Sequence, residues 1–272
     1  MGLSLSAALP SSAWGCNFPE CTFPAPGTEI FFFDNVFSIG PFGFNKAMIQ
    51  LFIGAIVVIG FLWFAFRKPK IVPRGAQNVG EVGYGFIRDG IARDVIGKGG
   101  ERFVPLLFTF FFFIWVLNFM GIFPTLVFPV TSVFAIPVAF ALIVYLTWVP
   151  LGIAKQGGWG FFKNIMFPPG LPKPLYIILA PIELISNILV RPFTHCVRLF
   201  ANMFAGHLLI VTFTVAAWYL FSPTIIGLLG SAVSFVVVLA LTAFELLIQA
   251  LQAYIFTLLT AVYISGALHA EH

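Results

Sequence analysis

Arg198 stands inside R-P-F-T-H-C-V-R-L-F-A-N-M-F-A-G-H-L-L, residues 191–209, a run that otherwise reads as lipid-phase helix. Arginine stays protonated in proteins, and a charge at bilayer depth costs at least ~2.5–3.5 kcal/mol on insertion scales. Such a group marks an ion path by default. The competing reading is a side chain snorkelling to a headgroup, against which apolar helix continues on both sides. Asn187, Arg191, His195, Arg198 and Asn202 recur at spacings of 4, 4, 3 and 4, which puts them on one helical face. Glu245, Gln249 and Gln252 form a second stripe at spacings of 4 and 3. Glu183 and His207 fall elsewhere, His207 nearly opposite Arg198.

The chemistry these types permit is proton transfer. Histidine changes charge near neutral pH, and Asp/Glu/His chains are the usual intramembrane relays. If the helices carrying the two stripes pair antiparallel about a turn at Pro223–Thr224, Arg198 falls level with Gln252 and His207 level with Glu245 in a single register. His207 and Glu245 then make the titratable part of an aqueous inlet from outside, about two turns nearer that side than Arg198 and Gln252. Glu183, Ser186 and Asn187 lie on the inner side of Arg198 and suit an exit. Each residue has a plainer reading: helix–helix hydrogen bonding for His207 and Gln249, a near-interface bond to Ser186 for Glu183, a structural charge for Arg191. No carboxylate shares a stripe with Arg198, so its expected partner is an acid on another subunit. A fixed cation facing that acid favours its ionised form.

The elements that must hold these residues are membrane helices. Of 272 residues 60% are hydrophobic and 9% charged, against about 25% charged in soluble domains. Spans are expected at 47–66, 103–123 and 133–151, each near the ~20 residues that cross the hydrocarbon core. The fourth crossing, 175–221, is overlong, with bends expected at Pro181 and Pro192. From Ile225 to Leu268 there is no Pro and no turn cluster, so one strongly tilted helix is expected there. Residues 76–98 read as an amphipathic helix on the membrane surface or a loop between spans; Val79, Val82, Phe86, Ile87, Ile91 and Val95 form its apolar stripe.

The expected fold is therefore an all-α integral membrane protein: five crossings plus a surface amphipathic helix, the last two helices long, tilted and antiparallel. Residues 1–43 form an external N-terminal arm and 44–272 one polytopic domain. Segment 67–102 holds eight basic residues and 155–173 three, while the arm and the 124–132 loop hold none. The positive-inside rule puts the N-terminus outside and His272 in the cytoplasm. The net charge of +4 sits at loop ends and does not signal nucleic acid. With 3 Cys and 4 His, no C-x-x-C and no His pair at i, i+4, no metal site or cofactor is expected. Cys16 and Cys21 either pair as a disulfide in an oxidising compartment or stay as thiols, and Cys196 reads as packing. The first 28 residues lack Lys, Arg and a long apolar run, so no cleaved signal peptide is expected.

At these residues the chain resembles the family of subunit a of the F-type ATP synthase. The likeness covers nearly everything from Val79 onward. It is most specific in R-L-F-A-N-M-F-A-G-H (198–207), followed by L-I-Q-A-L-Q-A-Y-I-F-T-L-L-T-A-V-Y-I (247–264), and F-F-F-I-W-V-L-N-F-M-G-I-F-P (111–124) is also family-like. The resemblance implies that Arg198 is the family's essential arginine, facing a ring of c subunits. It puts Asn202, His207, Glu245 and Gln252 in the outer half-channel and Glu183 and Ser186 in the inner one. In some members the acid and the histidine occupy the opposite two positions. Others carry an Asp after N-F-M, where this chain has Gly121, so no role transfers there. Length and the acid-poor arm point to a bacterial plasma membrane.

The resemblance also implies partners: the c-ring, peripheral-stalk b-type subunits and the rest of the ATP synthase. It implies no catalysis by this chain itself; ATP is made elsewhere in the complex. The alternative is a stand-alone secondary transporter using Arg198 as an anion site. Such folds usually show internal repeats and helices broken at the midplane, and neither is visible here. An intramembrane hydrolase has no motif to stand on: G-x-S-x-G, H-E-x-x-H and paired Asp are all missing.

Overall fold

Asn45 starts the first long helix, its side-chain Oδ1 accepting from Met48 N at 2.9 Å. That cap satisfies one of the orphan amides of a helix N-terminus. Helix α1 then runs Lys46–Phe66 through an almost uninterrupted apolar sequence. The structure, a computed structural model, describes residues 26–27, 31, 35–39, 42–122, 129–167, 176–222 and 224–268. Cys16, Cys21, Pro223 and His272 lie outside the described residues. A short antiparallel hairpin, β1 (Asn35–Ile39) and β2 (Phe42–Asn45), leads into α1. Periodicity did not signal it, because four or five residues beside a Gly-rich turn give too few alternations to count.

The remaining elements are helical: α2 (Ala76–Ile87), α3 (Val104–Met120), α4 (Ala135–Gln156), α5 (Gly158–Met166), α6 (Tyr176–Ile185), α7 (Arg191–Tyr219) and α8 (Ile225–Leu268). Among the described residues, five stretches are long and apolar enough to cross a membrane: Lys46–Phe66, Gly100–Met120, Ala135–Gln156, Ile178–Tyr219 and Ile225–Leu268. These are the five expected crossings, with ends shifted by a few residues. Pro105 fits the first turn of α3, where its missing N–H costs nothing. Gly157, at φ 77, separates α4 from α5 in a backbone region that L side chains avoid.

The fourth crossing is not one regular helix. Pro181 lies inside α6, and residues Ser186–Val190 form a π-helical turn before α7. Pro192 follows directly and cannot donate to the carbonyl of Ile188; a wider turn accommodates that missing bond. By contrast α8 runs for 44 residues. At 1.5 Å per residue that is ~66 Å of helix, about twice the ~30 Å hydrocarbon core.

Two compact units share the chain: Met1–Phe33 with Ala205–Leu247, and Asp34–Phe204 with Ile248–His272. In the larger unit α2 continues as a π-helical stretch, Arg88–Ile96. The apolar stripe expected there divides. Ile87, Ile91, Ala92 and Ile96 are buried against Val104, Leu107, Ala261 and Ile264, while Val79, Val82 and Phe86 face outward. The segment is thus packed on the bundle, and its polar edge carries the ion pairs Arg88–Asp89, Arg93–Asp89 and Arg93–Glu101. The hydrogen bond from Arg88 holds the Asp89 carboxyl below the usual carboxylate range.

Within a bilayer, helices gain little from hydrophobicity and associate through close packing. Aromatic rings supply it: Phe110 meets Phe256 edge-on at 5.5 Å and Phe140 at 6.4 Å. Small residues supply the rest. A Cβ at Gly121 would lie 2.6 Å from the backbone N of Pro129, so the chain there admits only glycine without moving. That close approach accounts for glycine at the position where other members of the resembled family carry an aspartate. Next to it, the Thr131 hydroxyl donates to Asn118 Oδ1 in a fully buried pair.

Candidate functional site

In the larger unit the site is built on the first part of α7 and the last part of α8. Leu199 of α7 packs with Ala253 and Phe256 of α8. His195 lies against Phe256, ring centroids 4.0 Å apart, and meets the Tyr263 ring edge-on at 5.8 Å. The Arg191 guanidinium sits 5.8 Å from the centre of that same Tyr263 ring. These contacts establish the antiparallel register that sets Arg198 level with Gln252.

The expected polar stripe divides between a buried and an exposed side. Asn187 and His195 are buried, and so are Leu199 and Met203; Arg191, Arg198 and Asn202 are exposed. A step of three residues turns the helix about 60° short of a full circle. The break in the four-residue rhythm between His195 and Arg198 therefore swings the guanidinium out of the packed face. Among the described residues Arg198 makes no ion pair.

On α8 the expected stripe is one continuous buried line: Glu245, Gln249 and Gln252 are all at most 5% exposed. Both polar atoms of the Gln249 amide lack a hydrogen-bond partner among the described residues. Buried amides are nearly always bonded to protein or to water, so this group calls for a polar companion.

Glu183 and Asn187 come together around the π-helical turn. Asn187 Nδ2 donates to Glu183 Oε2 at 3.0 Å and to the Glu183 carbonyl at 2.8 Å. Asn187, not Ser186, is thus the partner of the Glu183 carboxyl. Ser186 stands half-buried inside the turn. Asn187, Arg191, His195 and Tyr263 line one small recess of about 10 Å³, and His195 Nε2 has no hydrogen-bond partner among the described residues. Sequence reasoning did not find Tyr263, which pairs with nothing on its own helix stripe.

In the smaller unit the end of α7 and the start of α8 pair across the turn at 220–224. Ser231 Oγ donates to Ala217 O at 2.7 Å. Thr224 Oγ1 accepts from Gly227 N at 3.1 Å and so caps α8. Gly206 faces Glu245: a Cβ added there would lie 3.6 Å from the carboxyl carbon. His207 and Glu245, 7% and 5% exposed, are therefore brought to the same level, as the sequence register requires. The Phe31 ring packs edge-on against His207 at 6.2 Å. That contact comes from the N-terminal arm, where no sequence pattern pointed to the site.

Comparison with known proteins follows the same lines. The family description ATP synthase A chain matches residues 48–265. The chain is 50% identical to ATP synthase subunit a of Streptomyces lividans over 258 residues, covering 94% of this chain and 91% of that one. It is 42% identical to ATP synthase subunit a of Frankia alni, covering 92% and 88%. Identity to the Paenarthrobacter aurescens protein of that name is 41% over 270 residues, covering 98% and 99%. An exposed arginine without an ion pair among the described residues, on a chain with apolar helices long enough to cross a membrane, agrees with these matches, and the chain belongs to the ATP synthase subunit a family, as a non-catalytic, proton-translocating subunit of the membrane sector in the bacterial plasma membrane.

Proposed function

We propose that this subunit carries protons to and from a ring of c subunits through two offset half-channels separated by Arg198. The observation that carries this reading is a guanidinium exposed at the level of Gln252 with no ion pair among the described residues. The outer half-channel uses His207, Glu245, Gln249, Gln252 and Asn202. The inner one uses Glu183, Ser186 and Asn187, and the recess beside His195 adjoins it. Residues 1–43 form an external arm on the membrane domain 44–272, with the N-terminus outside and the C-terminus in the cytoplasm. A peripheral-stalk b-type subunit holds the chain still.

A proton enters between His207 and Glu245, whose shared level and burial support transfer in a confined space. It passes the Gln249 and Gln252 amides to an ionised carboxylate on the ring. Neutralised, that carboxylate can turn into lipid, where a charge could not go. After nearly a full rotation it approaches Arg198 from the inner side. Two unit charges ~4 Å apart interact by ~4 kcal/mol at an effective dielectric constant of ~20, or about three pKa units. That bias suffices to release the proton towards Glu183 and Asn187. The same fixed cation repels a proton attempting to pass directly between half-channels. Membrane potential adds ~2.3 kcal/mol per charge per 100 mV, comparable to the bias, so ring rotation can be driven in either direction.

Replacing Arg198 by Ala tests the reading in inverted membrane vesicles. ATP-driven acidification and ATP synthesis should both fall to background while the complex remains assembled. Normal coupled pumping by R198A would overturn it.

A further inference from the structure

Four cations crowd the loop that leaves α1. Arg67, Lys68, Lys70 and Arg74 all line one open recess of about 380 Å³. None of them forms an ion pair among the described residues; the ion pairs lie farther on, among Arg88, Asp89, Arg93 and Glu101. Glu81, on the adjoining helix, accepts from Gln77 Nε2 at 2.6 Å.

The loop is fixed rather than loose. Gln77 is 7% exposed and clamps the backbone of Lys70 from below, accepting from its N–H at 3.0 Å and donating to its carbonyl at 2.8 Å. The basic side chains on either side are thereby kept around the recess. Arg67 lies over the Trp63 ring at 5.0 Å, and Trp63 and Phe64 are themselves exposed at the end of a membrane-spanning helix. Aromatic rings at that level mark the boundary between hydrocarbon and headgroups.

We infer that this recess binds the headgroup of an anionic phospholipid. Its phosphate oxygens accept from Arg67, Lys68, Lys70 and Arg74, guanidinium and ammonium groups being the usual phosphate donors. Its acyl chains lie along Trp63 and Phe64. Basic pockets beside membrane helices favour such lipids. A free phosphate would satisfy the cations and leave the apolar lip without a role.

The test uses the assembled ATP synthase extracted from its own membranes, with bound lipid counted by native mass spectrometry. Wild type should retain one anionic phospholipid that R67Q/K68Q/K70Q/R74Q loses, and K68Q/K70Q should show the same loss if the fourfold variant fails to assemble. In phosphatidylcholine nanodiscs, adding phosphatidylglycerol should slow hydrogen exchange across residues 67–77. Equal lipid counts in wild type and variants overturn the inference. So does release of the wild-type lipid by inorganic phosphate, or slow exchange in phosphatidylcholine alone because an acidic segment of another subunit fills the recess. None of the four residues belongs to the proton path, so these outcomes leave the reading of Arg198 untouched.

Discussion

His195 packs against Phe256 with the rings tilted by 38° and their centres 4.0 Å apart, and this contact fixes how α7 is rotated against α8 at the level of Arg198. With His195 and Leu199 committed inward, Arg198 has to point outward. Cysteines replacing Arg198 and Gln252 should therefore join through a short bifunctional reagent, because the two positions lie at one level. Efficient crosslinking of 198 to a position two turns away on α8, in place of 252, would contradict the register.

The level placement of His207 and Glu245 makes the pair interchangeable. H207E and E245H alone should each reduce ATP-driven pumping severely. The double exchange H207E/E245H should recover a measurable part of it in vesicle acidification. A double variant no better than either single one would sink the pairing.

Gly206 leaves just enough room for the Glu245 carboxyl. Alanine adds a Cβ at ordinary contact distance, 3.6 Å from Cδ, so Gly206→Ala should pump nearly as wild type. Gly206→Leu should displace the carboxyl and cut pumping strongly without preventing assembly. Similar rates for both variants would show that the space is not needed.

Gly121 is constrained by backbone. A Cβ there would meet Pro129 N at 2.6 Å, so Gly121→Asp should destabilise the subunit by about 1–3 kcal/mol, the usual cost of overpacking. The amount of subunit a in extracted complexes reports it. Full incorporation of G121D, with unchanged thermal stability of the complex, would show that the 129–132 segment yields freely.

Asp89 gives a pH signature away from the bilayer. Its carboxyl is held below the usual carboxylate range, first by the hydrogen bond from Arg88 and then by the charges of Arg88 and Arg93. The Asp89 ion pairs with Arg88 and Arg93 therefore contribute fully above this carboxylate's unfolded pKa. Their contribution is lost as pH falls through the lower folded value. Hydrogen exchange in residues 88–101 should quicken on acidification below about pH 4, and D89N should remove that dependence.

Much of this was legible in the sequence because membrane helices leave few options. The uninterrupted apolar runs declared five crossings, and Arg198, costly in lipid without a role, is the residue from which the proposed site was read. The Gln and Glu stripe of α8 was legible because its spacing never breaks. The α7 stripe was read as one face because spacings of three and four both look helical; only the packing of Leu199 and Met203 reveals which side is inward. Asn187 as the partner of Glu183 was hidden, since a π-helical turn leaves no mark in periodicity. Phe31 and Tyr263 were hidden for another reason: each reaches its histidine from a distant part of the chain.

A motor's fixed part must resist the push it receives. Behind Arg198, Leu199 is 1% and Met203 0% exposed, so no soft space lies on the far side of the helix. Any sideways thrust on the guanidinium is met at once by Ala253 and Phe256 and handed to a rod of 44 residues without a proline joint. In the proposed cycle, that backing would keep the arginine at its station as the rotor passes.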